Sequence, residues 1–225
     1  MRILFILSLF ILECLFIKTV WALSTNEKVW STIGFNTQIG NYVYQIEPQL
    51  RVRDRPFLFE QLLTNFSGGY QYSPRWTMAL GGTTVTTKLN QGSNLQENRV
   101  WEQVLFTHEQ TPWFTLRSRL EQRTRADSNE WNYRFRERLT LRKKLTDSLS
   151  LVGFNELFIN VVQADWVTTQ TLDQNRILIS LDQQASKNLL VGAGYLYQYV
   201  FSNPGQASHV ISLYAQVTLP NEPQS

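Results

Sequence analysis

The sequence predicts an all-β protein: a closed antiparallel transmembrane β-barrel of ten to twelve strands, with twelve favoured. Three observations point there. Long segments alternate polar and apolar residues with period two, the N-terminus has the character of a secretory leader, and no later stretch is apolar enough for a membrane helix.

The alternation is plainest over 113–145. One phase of its first half carries Arg117, Arg119, Glu121, Arg123 and Arg125, and the other Phe114, Leu116, Ser118, Leu120, Gln122 and Thr124. After a polar break at 126–129, Asn132, Arg134, Arg136, Arg138, Thr140 and Arg142 oppose Trp131, Tyr133, Phe135, Glu137, Leu139 and Leu141. Period two is strand behaviour, because successive side chains leave a strand on opposite faces. Soluble strands run to about five or six residues, whereas a tilted strand crossing a bilayer needs roughly nine to eleven. Strands this long, greasy on one face and arginine-rich on the other, suit a barrel wall with its arginines in the lumen. The competing reading of this window is a basic face on a soluble sheet, turned toward a polyanion such as nucleic acid.

The leader bears on that choice. Arg2 gives a positive start, 3–17 is largely apolar apart from Ser8 and Glu13, and Val20-Trp21-Ala22 offers a cleavage site after Ala22. The expected division is a signal peptide over 1–22 and one barrel domain over 23–225. Glu13 and Lys18 make the segment a poor retained anchor, and Cys14 follows Glu13 rather than a small residue, which disfavours lipid attachment there. Cleavage removes Arg2, Lys18, Glu13 and the single cysteine, leaving a net charge of about +2 and no disulfide. So mild a charge does not call for a nucleic-acid partner. No later run reaches the roughly 18 apolar residues of a helical span. Seven tryptophans, nine tyrosines and thirteen phenylalanines suit aromatic girdles at two membrane interfaces, and suit a soluble β core as well.

Taken in order, a first strand is expected over 29–37, interrupted by Gly34, and then a tight turn at 38–41. Over 42–53, Tyr42, Tyr44, Ile46, Pro48, Leu50 and Val52 oppose Val43, Gln45, Glu47, Gln49, Arg51 and Arg53. Proline cannot donate to a ladder, so Pro48 predicts a bulge. A turn at 54–56 leads to a strand over 57–72 whose phase is blurred by Glu60, which shares a face with Leu58 and Leu62. A turn at 73–75, a threonine- and glycine-rich segment over 76–88 and a loop near 89–95 follow. The strand over 96–110 has no settled facing, since Glu97, Arg99 and Gln103 make one side polar while Glu102 and His108 spoil the other. Past the arginine-rich pair come a turn at 146–148, strands over 149–160 and 175–181, and between them the longest candidate loop, 161–174, whose Trp166 is placed to pack over a barrel mouth. A strand over 189–201 puts Tyr195, Tyr197 and Tyr199 on one face, and a last strand spans 209–219. The tally is about eleven. Simple bacterial barrels have even counts, hence the expectation of ten or twelve.

Little in the chain offers chemistry. There are two histidines and no cysteine pair, so neither a zinc site nor any other cofactor is expected. A hydrolase acting on envelope lipids would need a hydroxyl nucleophile beside a histidine base. His209 with Ser212, or His108 with a serine across the wall, can be drawn that way, and remains the enzymatic alternative. The informative set is the charged row. Glu47, Arg51, Arg117, Arg119, Glu121, Arg123, Arg125, Arg134, Arg136 and Arg138 are expected to form an internal salt-bridge network or an anion-attracting lumen, with Glu97 and Glu156 helping to neutralise it.

The chain also resembles a bacterial family of uncharacterised outer-membrane barrels, domain of unknown function 2490. The resemblance is carried by Trp30, Glu47-Pro48-Gln49-Leu50-Arg51, the segment 63–72 before a Ser-Pro turn, Arg119-Leu120-Glu121-Gln122-Arg123 and Gln174-Asn175-Arg176, and covers 30–219. The chain departs from the usual pattern in Pro48 within a strand, and in a last strand that closes on Leu219-Pro220 rather than on an aromatic residue. The resemblance implies architecture and an outer-membrane location, with lipid and the barrel-assembly machinery as partners, and it implies no activity. The expected function is a non-enzymatic structural barrel or narrow channel for small anionic solutes, monomeric and without a nucleic-acid partner.

Overall fold

The structure, a computed structural model, describes residues 25–53, 58–89, 92–108 and 113–220. Eleven strands lie among them: β1 (Thr25–Ile39), β2 (Tyr42–Arg53), β3 (Leu58–Ser73), β4 (Trp76–Lys88), β5 (Asn94–Thr107), β6 (Phe114–Arg125), β7 (Asn132–Lys144), β8 (Leu149–Val162), β9 (Leu172–Ser186), β10 (Leu189–Val200) and β11 (Gln206–Thr218). Each pairs with its neighbours in sequence, and β1 closes the barrel against β11. The leader over 1–22, the turn at 54–56 and the end of the tail lie outside the described residues.

The described strands number eleven, within the expected ten to twelve, and one expectation is corrected: the barrel is not wholly antiparallel. With an odd count β1 and β11 run in the same direction, from Thr25 beside Ala207 to Asn36 beside Thr218. Every other pair is antiparallel. Gly34 does not interrupt β1; the Gln216 side chain occupies the space where a Cβ would stand. Pro48 marks no bulge either. It stays in register opposite Thr64 on β3, while on its other side the β1 ladder passes from Thr32–Gln49 to Phe35–Ile46 with no pair between and no shift. The missing N–H opens a gap in one ladder and leaves the alignment intact.

The ends where β1 meets β2, β3 meets β4, β5 meets β6, β7 meets β8 and β9 meets β10 lie at one mouth, the turn end. The ends where β2 meets β3 and β4 meets β5 lie at the other, the loop end, with the connections 126–131, 163–171 and 201–205. Two of the latter are tied together: Ser128 Oγ donates to Asp165 Oδ1 at 2.9 Å, the Asp165 amide to Glu130 Oε2 at 2.6 Å, and Trp166 Nε1 to the Glu130 carbonyl at 3.3 Å. Trp166 does lie over the mouth, its ring 4.9 Å from the Arg123 guanidinium and 5.1 Å from that of Arg125.

The barrel is greasy outside. Ile33, Phe35, Ile46, Leu50, Leu62, Phe66, Leu80, Val100, Ile179, Leu181, Ile211 and Leu213 are exposed on the outer face. Aromatic residues cluster at both rims. Tyr42 with Tyr70, and Trp76 with Phe106 and Phe114, stack at the turn end. At the loop end Tyr199 packs on Phe201 and Tyr197 on His209. Inside, Trp30, Leu178, Leu196 and Val210 make a small apolar cluster on the β9–β10–β11–β1 side. Elsewhere the interior combines charged and neutral polar side chains with single apolar ones such as Leu63, Val85, Trp101 and Phe158.

Candidate functional site

The lumen is built by cross-strand register. In β6 and β7, Arg117 faces Arg138, Arg119 faces Arg136 and Glu121 faces Arg134; in β7 and β8, Arg138 faces Glu156. Like charges directly opposite one another destabilise a ladder. Two fully buried carboxylates resolve the conflict. Glu121 Oε2 accepts from Arg134 Nε and Nη2 at 3.1 and 2.6 Å, and its Oε1 from Arg136 Nη1 at 2.5 Å. Glu156 Oε1 accepts from Arg136 Nε and Nη2 at 3.0 and 2.6 Å and from Arg117 Nη2, and its Oε2 from Arg138 Nη2 at 3.1 Å. Charges removed from water persist when they are paired and hydrogen-bonded in this way.

Rings support the guanidiniums from beneath. Arg119 lies 3.7 Å over Trp101 and donates twice to Gln103 Oε1, at 3.0 and 2.7 Å. Arg136, Arg176 and Arg134 stand 4.5, 4.6 and 5.0 Å from Phe158, and Arg138 4.5 Å from Phe154. The planar, weakly hydrated guanidinium tolerates such stacking where an ammonium would not. Arg123 donates to Glu97 Oε1 at 2.6 Å and Asn132 Oδ1 at 2.9 Å. Arg125 stands at the rim, paired with Asp127 at 2.5 Å.

Two β-bulges bring in carboxylates that alternation alone would have turned away. The β2–β3 register steps from Arg51–Gln61 to Val52–Phe59, leaving Glu60 as the extra residue, and Glu60 meets Lys28 Nζ at 2.7 Å. The β8–β9 register steps from Phe158–Gln174 to Ile159–Leu172, leaving Asp173, which accepts from Arg134 Nη1 at 2.7 Å. Nothing in the local pattern marks Asp173; the broken phase around Glu60 was a signal of its bulge. On the remaining wall Asp182 pairs with Arg142 at 2.7 Å.

Glu47 sits on the inner wall but does not neutralise the arginine row. It is held by three amides, from Gln45 at 3.2 Å and from Asn65 and Gln216 at 3.3 Å each. Arg51, likewise inside, stacks 3.8 Å over Trp30 and donates to Gln49 and Gln61 at 2.8 and 3.0 Å. Arg176 shares the same indole, 5.0 Å away. Neither Arg51 nor Arg176 forms an ion pair among the described residues. Arg99 also lies inside, paired with Glu97 at 2.7 Å, which settles the facing of β5: Glu97, Arg99, Trp101 and Gln103 point in and Glu102 points out, toward Gln122.

Beside the packed network lie two cavities. A cavity of about 200 Å³ toward the loop end is lined by Lys28, Trp30, Arg51, Glu60, Glu97, Arg99, Arg123, Arg134 and Arg176 among others. A second, of about 240 Å³, lies toward the turn end against Glu47, Asn65, Trp101, Arg117, Arg119, Arg136 and Arg138. Arg51, Arg99 and Arg176 line both.

The drawn hydrolase dyad is not assembled. Ser212 points into the barrel, whereas His209 faces out, its Nδ1 hydrogen-bonded to the Tyr195 hydroxyl. His108 stacks between Trp113 and Phe114 at the turn end, at 5.9 and 5.5 Å. The arginine row does not form an open basic face for a polyanion either, because it is enclosed by the barrel.

A family profile described as "Protein of unknown function (DUF2490)" matches residues 27–209. An uncharacterised protein of Methylorubrum extorquens is 22% identical over 193 residues, covering 83% of this chain and 85% of that protein. The match covers most of the chain, including every arginine and glutamate of the lumen network, and the chain belongs to the DUF2490 family.

Proposed function

We propose that this chain is an outer-membrane barrel of a double-membraned bacterium that admits small anionic solutes through a narrow lumen and carries out no chemistry of its own. One observation carries the reading: two polar cavities lie one above the other beside the packed arginine network and share Arg51, Arg99 and Arg176. Fixed positive charge in a low-dielectric channel raises the local concentration of anions. The network keeps the passage narrow, so slow conductance is expected rather than that of a porin, whose wide channel takes about 16 strands or more.

The membrane setting is supported by the apolar outer face, by aromatic clusters at both rims and by strands of 12 to 16 residues, long enough for a tilted crossing. Lipid is the partner of that face. The leader over 1–22 brings the chain to the export pathway, and the barrel-assembly machinery inserts it as a monomer.

Two measurements test the proposal. Cell fractionation should recover the protein with outer membranes and release it only with detergent; recovery in the soluble periplasmic fraction overturns the location. Purified protein in a planar bilayer under a salt gradient should give small conductance steps with an anion-selective reversal potential. Silent bilayers, or cation selectivity, overturn the passage and leave a structural barrel, the reading that the packed half of the lumen favours.

A further inference from the structure

We propose that Arg51, Arg99 and Arg176 form a binding site for a small oxyanion of the phosphate or sulfate class at the junction of the two lumen cavities. The site rests on the reading of the lumen as anion-attracting, but does not require that ions pass.

The argument begins with donors left over. Arg51 uses Nε on Gln49 and Nη1 on Gln61. Arg176 uses Nη2 on Gln174 at 3.0 Å, and Arg99 uses Nε on Glu97. Arg51 Nη2, Arg176 Nη1 and both terminal nitrogens of Arg99 have no hydrogen-bond partner among the described residues. None of these four is among the buried orphan atoms, a group that does include Arg176 Nε and Trp30 Nε1. They therefore face open space, and the space these residues line is the two cavities.

Charge points the same way. Of the six cationic side chains that line the loop-side cavity, Lys28, Arg99, Arg123 and Arg134 have carboxylate partners, whereas Arg51 and Arg176 form no ion pair among the described residues. Enclosed cations without counterions are unfavourable. Arg51 and Arg176 nonetheless keep their positions, because Trp30 is buried and both guanidiniums lie against its ring. An anion between them receives charge-assisted hydrogen bonds from groups already in place.

Geometry selects the class. Arg51, Arg99 and Arg176 stand on three different strands, β2, β5 and β9, and all three line both cavities, an arrangement that suits an acceptor with oxygens on several sides better than a halide. The loop-side cavity, of about 200 Å³, has room for a small oxyanion.

The test uses the full barrel in detergent micelles, titrated with inorganic phosphate at constant ionic strength and followed by calorimetry and by melting temperature. Wild-type protein should bind phosphate saturably and melt higher in phosphate than in chloride. The R51Q/R176Q double variant should lose phosphate affinity on the order of 30-fold while keeping the heat-dependent gel shift of a folded barrel. If that variant does not fold, R176K carries the test: it keeps the charge, removes the fork, and should still lose phosphate preference over chloride. Phosphate binding unchanged in the folded variants, or wild-type stabilisation by phosphate no greater than by chloride, overturns the site. Silent bilayers with phosphate binding retained overturn only the passage. Anion-selective conductance without phosphate preference overturns only the site.

Discussion

Asp173 meets Arg134 at 2.7 Å from a position that strict alternation would turn toward the outside of the barrel. The extra residue in β9 rotates the carboxylate inward, where it satisfies the one Arg134 terminal nitrogen that Glu121 does not reach. D173N should therefore destabilise the barrel by about 1.5–3 kcal/mol, the range for a hydrogen bond to a charged group. Denaturant unfolding of detergent-solubilised protein measures this. Wild-type stability would mean that Asp173 only fills space.

Glu121 carries more. It is wholly buried and binds both Arg134 and Arg136, so E121Q leaves Arg134 with Asp173 alone and Arg136 with Glu156 alone, and should cost about 3–5 kcal/mol. The quadruple variant E121M/R134L/R136M/D173N removes these charges together, while Glu156 keeps Arg117 and Arg138, and it should lose less than E121Q alone. The comparison separates a network needed for its charge balance from one needed for its volume. An E121Q protein as stable as wild type would contradict the pairing.

Ile179 offers a direct test of the membrane setting. It lies midway along β9 on the outer face and is 60% exposed. An arginine there should cost about 2–4 kcal/mol at the midplane of a bilayer, and close to nothing if that face meets water. Folding of I179R into lipid vesicles, titrated with urea against wild type, gives the number.

The bulge at Glu60 makes a prediction about deletions. Removing Glu60 joins Arg51–Gln61 directly to Val52–Phe59 and leaves every other residue on its own side of the wall. The deletion should be tolerated about as well as E60A, since both lose only the partner of Lys28. Deleting Leu62 instead shifts the alternation of half of β3 and should prevent folding. Heat-modified gel mobility distinguishes the three proteins, and equal failure of both deletions would sink the account of the bulge.

Much of this was legible. Rows such as Arg117–Arg119–Glu121 and Arg134–Arg136–Arg138 declare one face of a strand by themselves, because alternation is local. Arg99 and Arg176 also sat in polar phases, yet their importance depends on which strands come to oppose one another across the lumen, and no local pattern holds that. Glu60 blurred the phase of its strand for a physical reason that was readable only as noise. Glu102 obscured β5 because it faces outward against Gln122. The parallel closure was missed at the seam, where β1 meets residues some 180 positions away. Hairpin patterns predict partners that are near in sequence and carry no information about that closure.

The same seam governs how the chain could be rewired. In most domains the two termini lie close enough to be joined and the chain reopened elsewhere. Here β1 begins at the loop end and β11 finishes at the turn end. A peptide linking Thr218 back to Thr25 must run the full length of β11, whose 13 residues at about 3.3 Å each make roughly 40 Å. Outside the wall it would cross the greasy face with its backbone unpaired, and inside it would have to thread the arginine network. Circular permutation by a short linker is thus closed to this barrel, because β1 starts at one mouth and β11 finishes at the other.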